Sequence, residues 1–181
     1  ALVHHILKEA GVPTTMGGNI GLPILEHEAL PDGGVYVLEL SSYQIDLTYS
    51  LDCDVAVLLN ITPDHLDRYA DFEAYAASKA RLFAMQAPEH PAIVAIDDAP
   101  SAAIAASLNA DPDTALWKNL RGQKRAIAKA KGKARAAKRK VIKFSAGGCM
   151  DQSNWPALQG PHNAQNAIAA MTAAREIGIS E

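Results

Sequence analysis

Two apolar runs, Tyr36-Val37-Leu38-Glu39-Leu40-Ser41-Ser42 and Val55-Ala56-Val57-Leu58-Leu59-Asn60-Ile61, both end in polar residues. A strand with one wet face alternates apolar and polar residues, whereas a strand covered on both faces reads as a continuous apolar run. Runs of the second kind restrict the chain to an open, parallel sheet with helices on either side. Ligands of such sheets bind in the crevice outside the carboxyl ends of the strands. Glu39, Asn60 and the loop Thr62-Pro63-Asp64-His65-Leu66-Asp67-Arg68 fall at those ends.

The rest of the pattern agrees. Ile93 to Ile96, ahead of Asp97-Asp98, predicts a further strand, and Val141 to Phe144 another. Thr14 to Gly21 predicts a short strand entering a glycine-rich loop, while 23–30 is short and ambiguous. Helices are predicted over 1–10, 71–86, 98–108 and 161–177, the last with Pro161 in its first turn. Strands alternating with helices imply right-handed crossovers, hence an α/β fold with a doubly wound, mostly parallel sheet and flanking helices.

Within 71–86 the apolar stripe Phe72, Tyr75, Ala76, Leu82 and Phe83 also contains Lys79. Burying a lysine is costly unless it is paired, neutral or modified. Either its stem packs while the ammonium reaches water, or burial lowers its pKa and frees the amine for chemistry.

Composition narrows the function classes. Two cysteines, Cys53 and Cys149, lie far apart and without metal-ligand spacing, which supports neither a disulfide framework nor a zinc site and fits a reducing cytoplasm. No stretch reaches the roughly 18 apolar residues of a membrane span, and no signal sequence opens the chain. The net charge of −3 hides an asymmetry: Lys118 to Lys143 holds 12 of the 17 basic residues and no acidic one. Because 114–140 offers little to bury, it is expected to be an exposed, partly helical or mobile insertion in a single domain spanning 1–181. The first helix has no capping residue or strand ahead of it, so a first strand and its loop are expected to precede Ala1.

Several residues suit chemistry, each with a plainer alternative. Glu39 closes an apolar strand, the usual place for a carboxylate that holds magnesium beside nucleotide phosphates, or else is an exposed strand-end glutamate. Ser41 and Ser42 can bond a substrate or cap the next turn. His65, between Asp64 and Asp67, is a candidate ligand or a surface loop histidine. Asn163 and Asn166 share one face of the first turn of the last helix, where anions gather, although an asparagine there can simply cap it.

Taken together, Gly18-Asn19-Ile20-Gly21-Leu22-Pro23, Glu39-Leu40-Ser41-Ser42-Tyr43-Gln44, Asn60-Ile61-Thr62-Pro63-Asp64-His65-Leu66-Asp67-Arg68-Tyr69, Ala77-Ser78-Lys79-Ala80-Arg81-Leu82 and Gly160-Pro161-His162-Asn163-Ala164-Gln165-Asn166-Ala167 resemble the central, ATP-binding domain of the Mur ligases, on the glutamate-adding branch. The resemblance covers 1–98 and 158–178 and implies a cytoplasmic, ATP- and Mg²⁺-dependent amide ligation of peptidoglycan biosynthesis. UDP-N-acetylmuramoyl-L-alanine would be activated as an acyl phosphate and joined to D-glutamate. It also implies roles: Glu39 and His65 on two different magnesium ions, Lys79 carbamylated and joining the second, Asn19 and Ser41 on the muramoyl substrate, Asn163 and Asn166 on the nucleotide.

The family's phosphate loop, Gly-x-x-Gly-Lys-Ser/Thr, is expected immediately before Ala1, and the flanking domains outside the chain, so the chain alone is not expected to be a working ligase. The competing reading is a degenerate ligase domain acting as a nucleic-acid- or partner-binding module through the basic run beside Trp117. Against it stand a single neighbouring aromatic and no recognisable nucleic-acid motif, which leaves weak, nonspecific binding.

Overall fold

The computed structural model describes residues 1–110, 139–147 and 150–179. In chain order these form α1 (Leu2–Glu9), β1 (Thr14–Gly18), a 3₁₀ turn (Ile24–Glu26), β2 (Val35–Glu39), α2 (Ser42–Asp46), β3 (Ala56–Leu58), α3 (Phe72–Met85), β4 (Ala92–Ala95), α4 (Ala99–Ser107), β5 (Val141–Phe144) and α5 (Pro161–Glu176). Every strand pair among them is parallel, as the unbroken apolar runs require. β1 pairs with β2, and β4 lies between β3 and β5, so the described strands form two sheets.

Helix ends follow the sequence. Asp71 accepts from the Ala74 amide at 2.7 Å and Asp98 from the Ser101 amide at 2.8 Å, each carboxylate satisfying an orphan donor of a first turn. The short helix α2, for which the sequence offered only a cap, has a full capping box: the Gln44 amide donates to Ser41 Oγ at 3.3 Å and the Ser41 amide to Gln44 Oε1 at 2.9 Å.

Burial explains the layering. On β4, Ala92 and Val94 join Ala56, Leu58, Ala76, Ala80, Phe83 and Ile104 in one cluster, placing α3 and α4 on one face. α5 packs on the other face of β4 and also against α1. Its buried alanines 164, 167, 170 and 174 recur every three or four residues, and such small side chains bring the helix close to the sheet.

Three expectations need correction. The strand foreseen over 55–61 pairs only across Ala56–Leu58, because the Ile61 amide leaves the ladder and donates to Asp98 Oδ2 at 3.4 Å. Helix α3 is not apolar on a single stripe. It is covered on two sides, since Ser78 and Arg81 are also buried, against α2, while Lys79 is only half-buried.

The third concerns the basic segment, whose residues 114–138 lie outside the described ones. Its expected end at 140 is too late. The Arg139 guanidinium donates to the carbonyls of Phe83 (2.9 Å) and Gln86 (2.8 Å) and to Gln86 Oε1, and its backbone is bracketed by the Asn109 side chain at 3.0 and 3.1 Å. Lys140 accepts from the Ala92 amide at 2.9 Å. Both residues belong to the folded domain.

Candidate active site at the carboxyl ends of the strands

The first part of the site is a backbone junction. Gly18, at φ +119°, ends β1 so close to β2 that a Cβ there would lie 2.2 Å from the Glu39 carbonyl oxygen. That carbonyl also accepts from the Asn19 amide at 2.7 Å. The glycine therefore fixes the backbones of Asn19 and Glu39 against each other, and both side chains remain exposed. Ser41, two residues on, caps α2, so the plainer of its two readings is present in the structure.

The second part is the loop after β3. His65 adopts φ 54°, a left-handed conformation uncommon for a residue with a side chain. Its carbonyl accepts from the Arg68 amide at 3.0 Å, and its own amide donates to Asp64 Oδ1 at 2.8 Å, which closes a tight turn. The imidazole lies against Tyr43 of α2 (centroids 4.8 Å apart) and edge-on to Tyr75 of α3 (6.2 Å), with Nε2 3.3 Å from Asp64 Oδ2. The Arg68 guanidinium also lies over Tyr43, 4.1 Å from its ring centroid.

Lys79 joins this group from α3. Its Nζ stands 5.1 Å from the Tyr75 ring centroid. Burial lowers its pKa below the ordinary lysine value, an effect opposed by the neighbouring Tyr69, Glu39 and Asp64. Glu39, Asp64, His65 and Lys79, from three different segments, thus form one group beyond the ends of β2 and β3.

Among the described residues no three His, Cys, Asp or Glu side chains converge closely enough to cage a metal ion by themselves. Magnesium does not need such a cage. It binds through one or two carboxylates, keeps several waters and takes its remaining ligands from substrate phosphates. The exposed Glu39 carboxylate fits that requirement. Cys53 is no ligand candidate, since burial pushes its thiol up to about 11 and keeps it protonated.

Asn163 and Asn166 form a separate part of the site, on the first turns of α5. The helix is capped by Gly160 without a side-chain bond, so neither asparagine serves as the cap. Asn163 Nδ2 donates to the Gln159 carbonyl at 3.0 Å. Between the asparagines, buried Gln165 donates to Asp97 Oδ2 at 2.9 Å and accepts from Asn60 Nδ2 at 3.5 Å, which ties α5 to the ends of β3 and β4.

Asp97 is further held by Ser145 Oγ and the Ala146 amide, and these hydrogen bonds keep its carboxyl below the usual carboxylate range. Sequence reasoning missed Gln165 and Asp97 as partners. The Asp97-Asp98 pair after an apolar strand was the available signal.

An open parallel α/β domain binds its ligands beyond the carboxyl ends of its strands, where this group stands. The profile of the Mur ligase middle domain matches residues 1–174, and the chain belongs to that family. It is 54% identical over 181 residues to a Zymomonas mobilis protein named UDP-N-acetylmuramoylalanine--D-glutamate ligase, covering all of this chain and 35% of that protein. The same name is carried by a Sphingopyxis alaskensis protein, 51% identical over 181 residues, of which the chain covers 36%. The chain thus spans about a third of the length of these curated relatives. Among solved structures it resembles MurF from Acinetobacter baumannii, with a TM-score of 0.58 and 19% identity, over 99% of this chain and 40% of that one.

Proposed function

We propose that this chain is the middle domain of a longer, cytoplasmic ligase that uses ATP and Mg²⁺ to join D-glutamate to UDP-N-acetylmuramoyl-L-alanine. The observation that carries the reading is the half-buried Lys79, its pKa lowered by burial, with Nζ over the Tyr75 ring that His65 also touches and with Glu39 and Asp64 close enough to act on it.

Magnesium, when bound, would neutralise charge building on the transferred phosphoryl group. Glu39 and His65 are the residues assigned to hold two such ions. The lysine amine, neutral more often than an exposed one, is suited to take up carbon dioxide, losing a proton to give a carbamate that would help hold the second ion. Asn19, fixed against Glu39, and Ser41 would orient the muramoyl substrate so that its carboxylate attacks the γ-phosphate in line. The amine of D-glutamate would then displace phosphate from the resulting acyl phosphate.

Asn163 and Asn166 would engage the nucleotide at the α5 N-terminus, where the helix dipole favours anionic groups. In relatives about three times as long, the phosphate loop and the muramoyl-nucleotide and amino-acid domains are assigned to the length that this chain does not cover.

The test is a chimera in which this chain replaces the matching segment of the Zymomonas mobilis protein. Phosphate release should require ATP, Mg²⁺ and both amide-forming substrates, and Lys79→Ala should lower turnover by about 100-fold or more. A chimera that folds but is silent while its parent is active would refute the proposal. A Lys79→Ala chimera working at the unsubstituted rate would refute the role of the lysine.

A further inference from the structure

Asp46, the last residue of α2, accepts more hydrogen bonds than any role at a helix end requires. Its Oδ2 accepts from Tyr69 Oη at 2.8 Å, and its Oδ1 from Ser78 Oγ at 2.8 Å and Arg81 Nη1 at 3.2 Å. Arg81 Nη1 also reaches the Asp46 carbonyl at 3.1 Å, and Nη2 the Thr48 carbonyl at 3.0 Å. Arg68 Nη2 stands 3.9 Å from Oδ2. Ser78 is 4% and Arg81 8% exposed, so the contact is an inward one, between helices.

The donors come from the segments that carry the candidate residues. Tyr69 ends the turn begun by His65, whose carbonyl accepts the Tyr69 amide at 3.4 Å. Ser78 and Arg81 flank Lys79 on α3. Asp46 itself is joined through α2 to Ser41 and thence to Glu39.

We propose that Asp46 is a positioning residue: it fixes the rotation of α3 and the fold of the 60–70 loop so that Lys79 is presented to Glu39 and His65. The assignment of those three residues to the reaction rests on the function proposed above. The physical argument is one of specificity. A buried ion pair is a poor way to gain stability, because removing two charges from water offsets most of their attraction, and apolar side chains of similar size hold helices together as well. A cluster of alanines would let α3 rotate or slide on α2. A carboxylate with donors from a tyrosine, a serine and an arginine admits one arrangement.

The experiment uses the chimera with two sets of substitutions. Asp46→Leu with Arg81→Met removes both charges together, so that neither is left buried and unpaired. Tyr69→Phe removes one donor and keeps the ring. The first readout is the rate at which Lys79 is reductively methylated in carbonate-free buffer, followed by peptide mass spectrometry. The second is turnover, split into kcat and the KM for ATP.

In the folded double variant Lys79 should be labelled several-fold faster than in the unsubstituted chimera. Its kcat should fall by about 100-fold, the effect of misplacing a reacting group by about 1 Å, with the KM for ATP changed less than about twofold. Tyr69→Phe should move both readouts the same way by less, and it decides the question alone should the double variant not fold. Unchanged labelling of Lys79 in a folded variant would overturn the proposal. Should the unsubstituted chimera be inactive, that result counts against the proposed function, and the labelling rates still settle what Asp46 does.

Discussion

Gly18→Ala tests whether the junction of β1 and β2 is as tight as its geometry requires. The new Cβ would lie 2.2 Å from the Glu39 carbonyl oxygen and 3.1 Å from the carbonyl carbon, both backbone atoms that cannot rotate away. The position also has φ +119°, a conformation that residues with a Cβ avoid. Holding alanine there costs about 1–3 kcal/mol, and forcing an extra methyl into filled space costs a further 1–3 kcal/mol or so. Together these give about 2–6 kcal/mol, enough to open the β1–β2 pairing if not to unfold the domain.

Gly33→Ala is the control. Its φ is +81°, but no atom lies within 4 Å of the built Cβ, so only the backbone cost of about 1–2 kcal/mol applies. Urea unfolding followed by circular dichroism, with hydrogen exchange of the β2 amides, separates the two variants. Gly18→Ala should lose about 1–3 kcal/mol more than Gly33→Ala and selectively deprotect β2. Equal losses at the two sites would mean that the strand ends are not in contact, and the fixed relation between Asn19 and Glu39 would fall with them.

Two further outcomes follow from the same contacts. Arg139→Ala removes a cation from the last carbonyls of α3 and should cost about 1–3 kcal/mol in thermal unfolding, a loss below about 0.5 kcal/mol showing that the anchor is dispensable. Asp97→Ala should lower the melting temperature at neutral pH by an amount that vanishes in acid. A carboxylate held below its unfolded pKa stabilises the fold above that value and stops doing so as pH falls through the lowered one, here below about 4. A difference from the unsubstituted chain that stays constant from pH 6 to about pH 3 would exclude Asp97 as the anion that ties α5 to the sheet.

What the sequence determined alone was local. The unbroken apolar run of β4 is buried at every position, and β2, although none of its residues is fully buried, also lies within a residue or two of its predicted place. Asp71 and Asp98 mark helix starts because a carboxylate answers free amides three residues ahead, and Pro161 opens α5 because it lacks an amide that would go unused. The motif residues other than Lys79 also stand at the strand and helix ends, or in the loops beyond them, where the pattern put them.

Tertiary structure decided which of those residues meet, and at what angle. The Asp46 contacts with Ser78 and Arg81 span 32 and 35 residues, and the Gln165 contact with Asp97 spans 68. No periodicity reaches so far, because it records only which face of its own element a residue occupies. Lys79 shows the difference. The helical stripe placed it among apolar residues, but a second helix packed on the flank of α3 and left its amine half-open, facing carboxylates from two other segments.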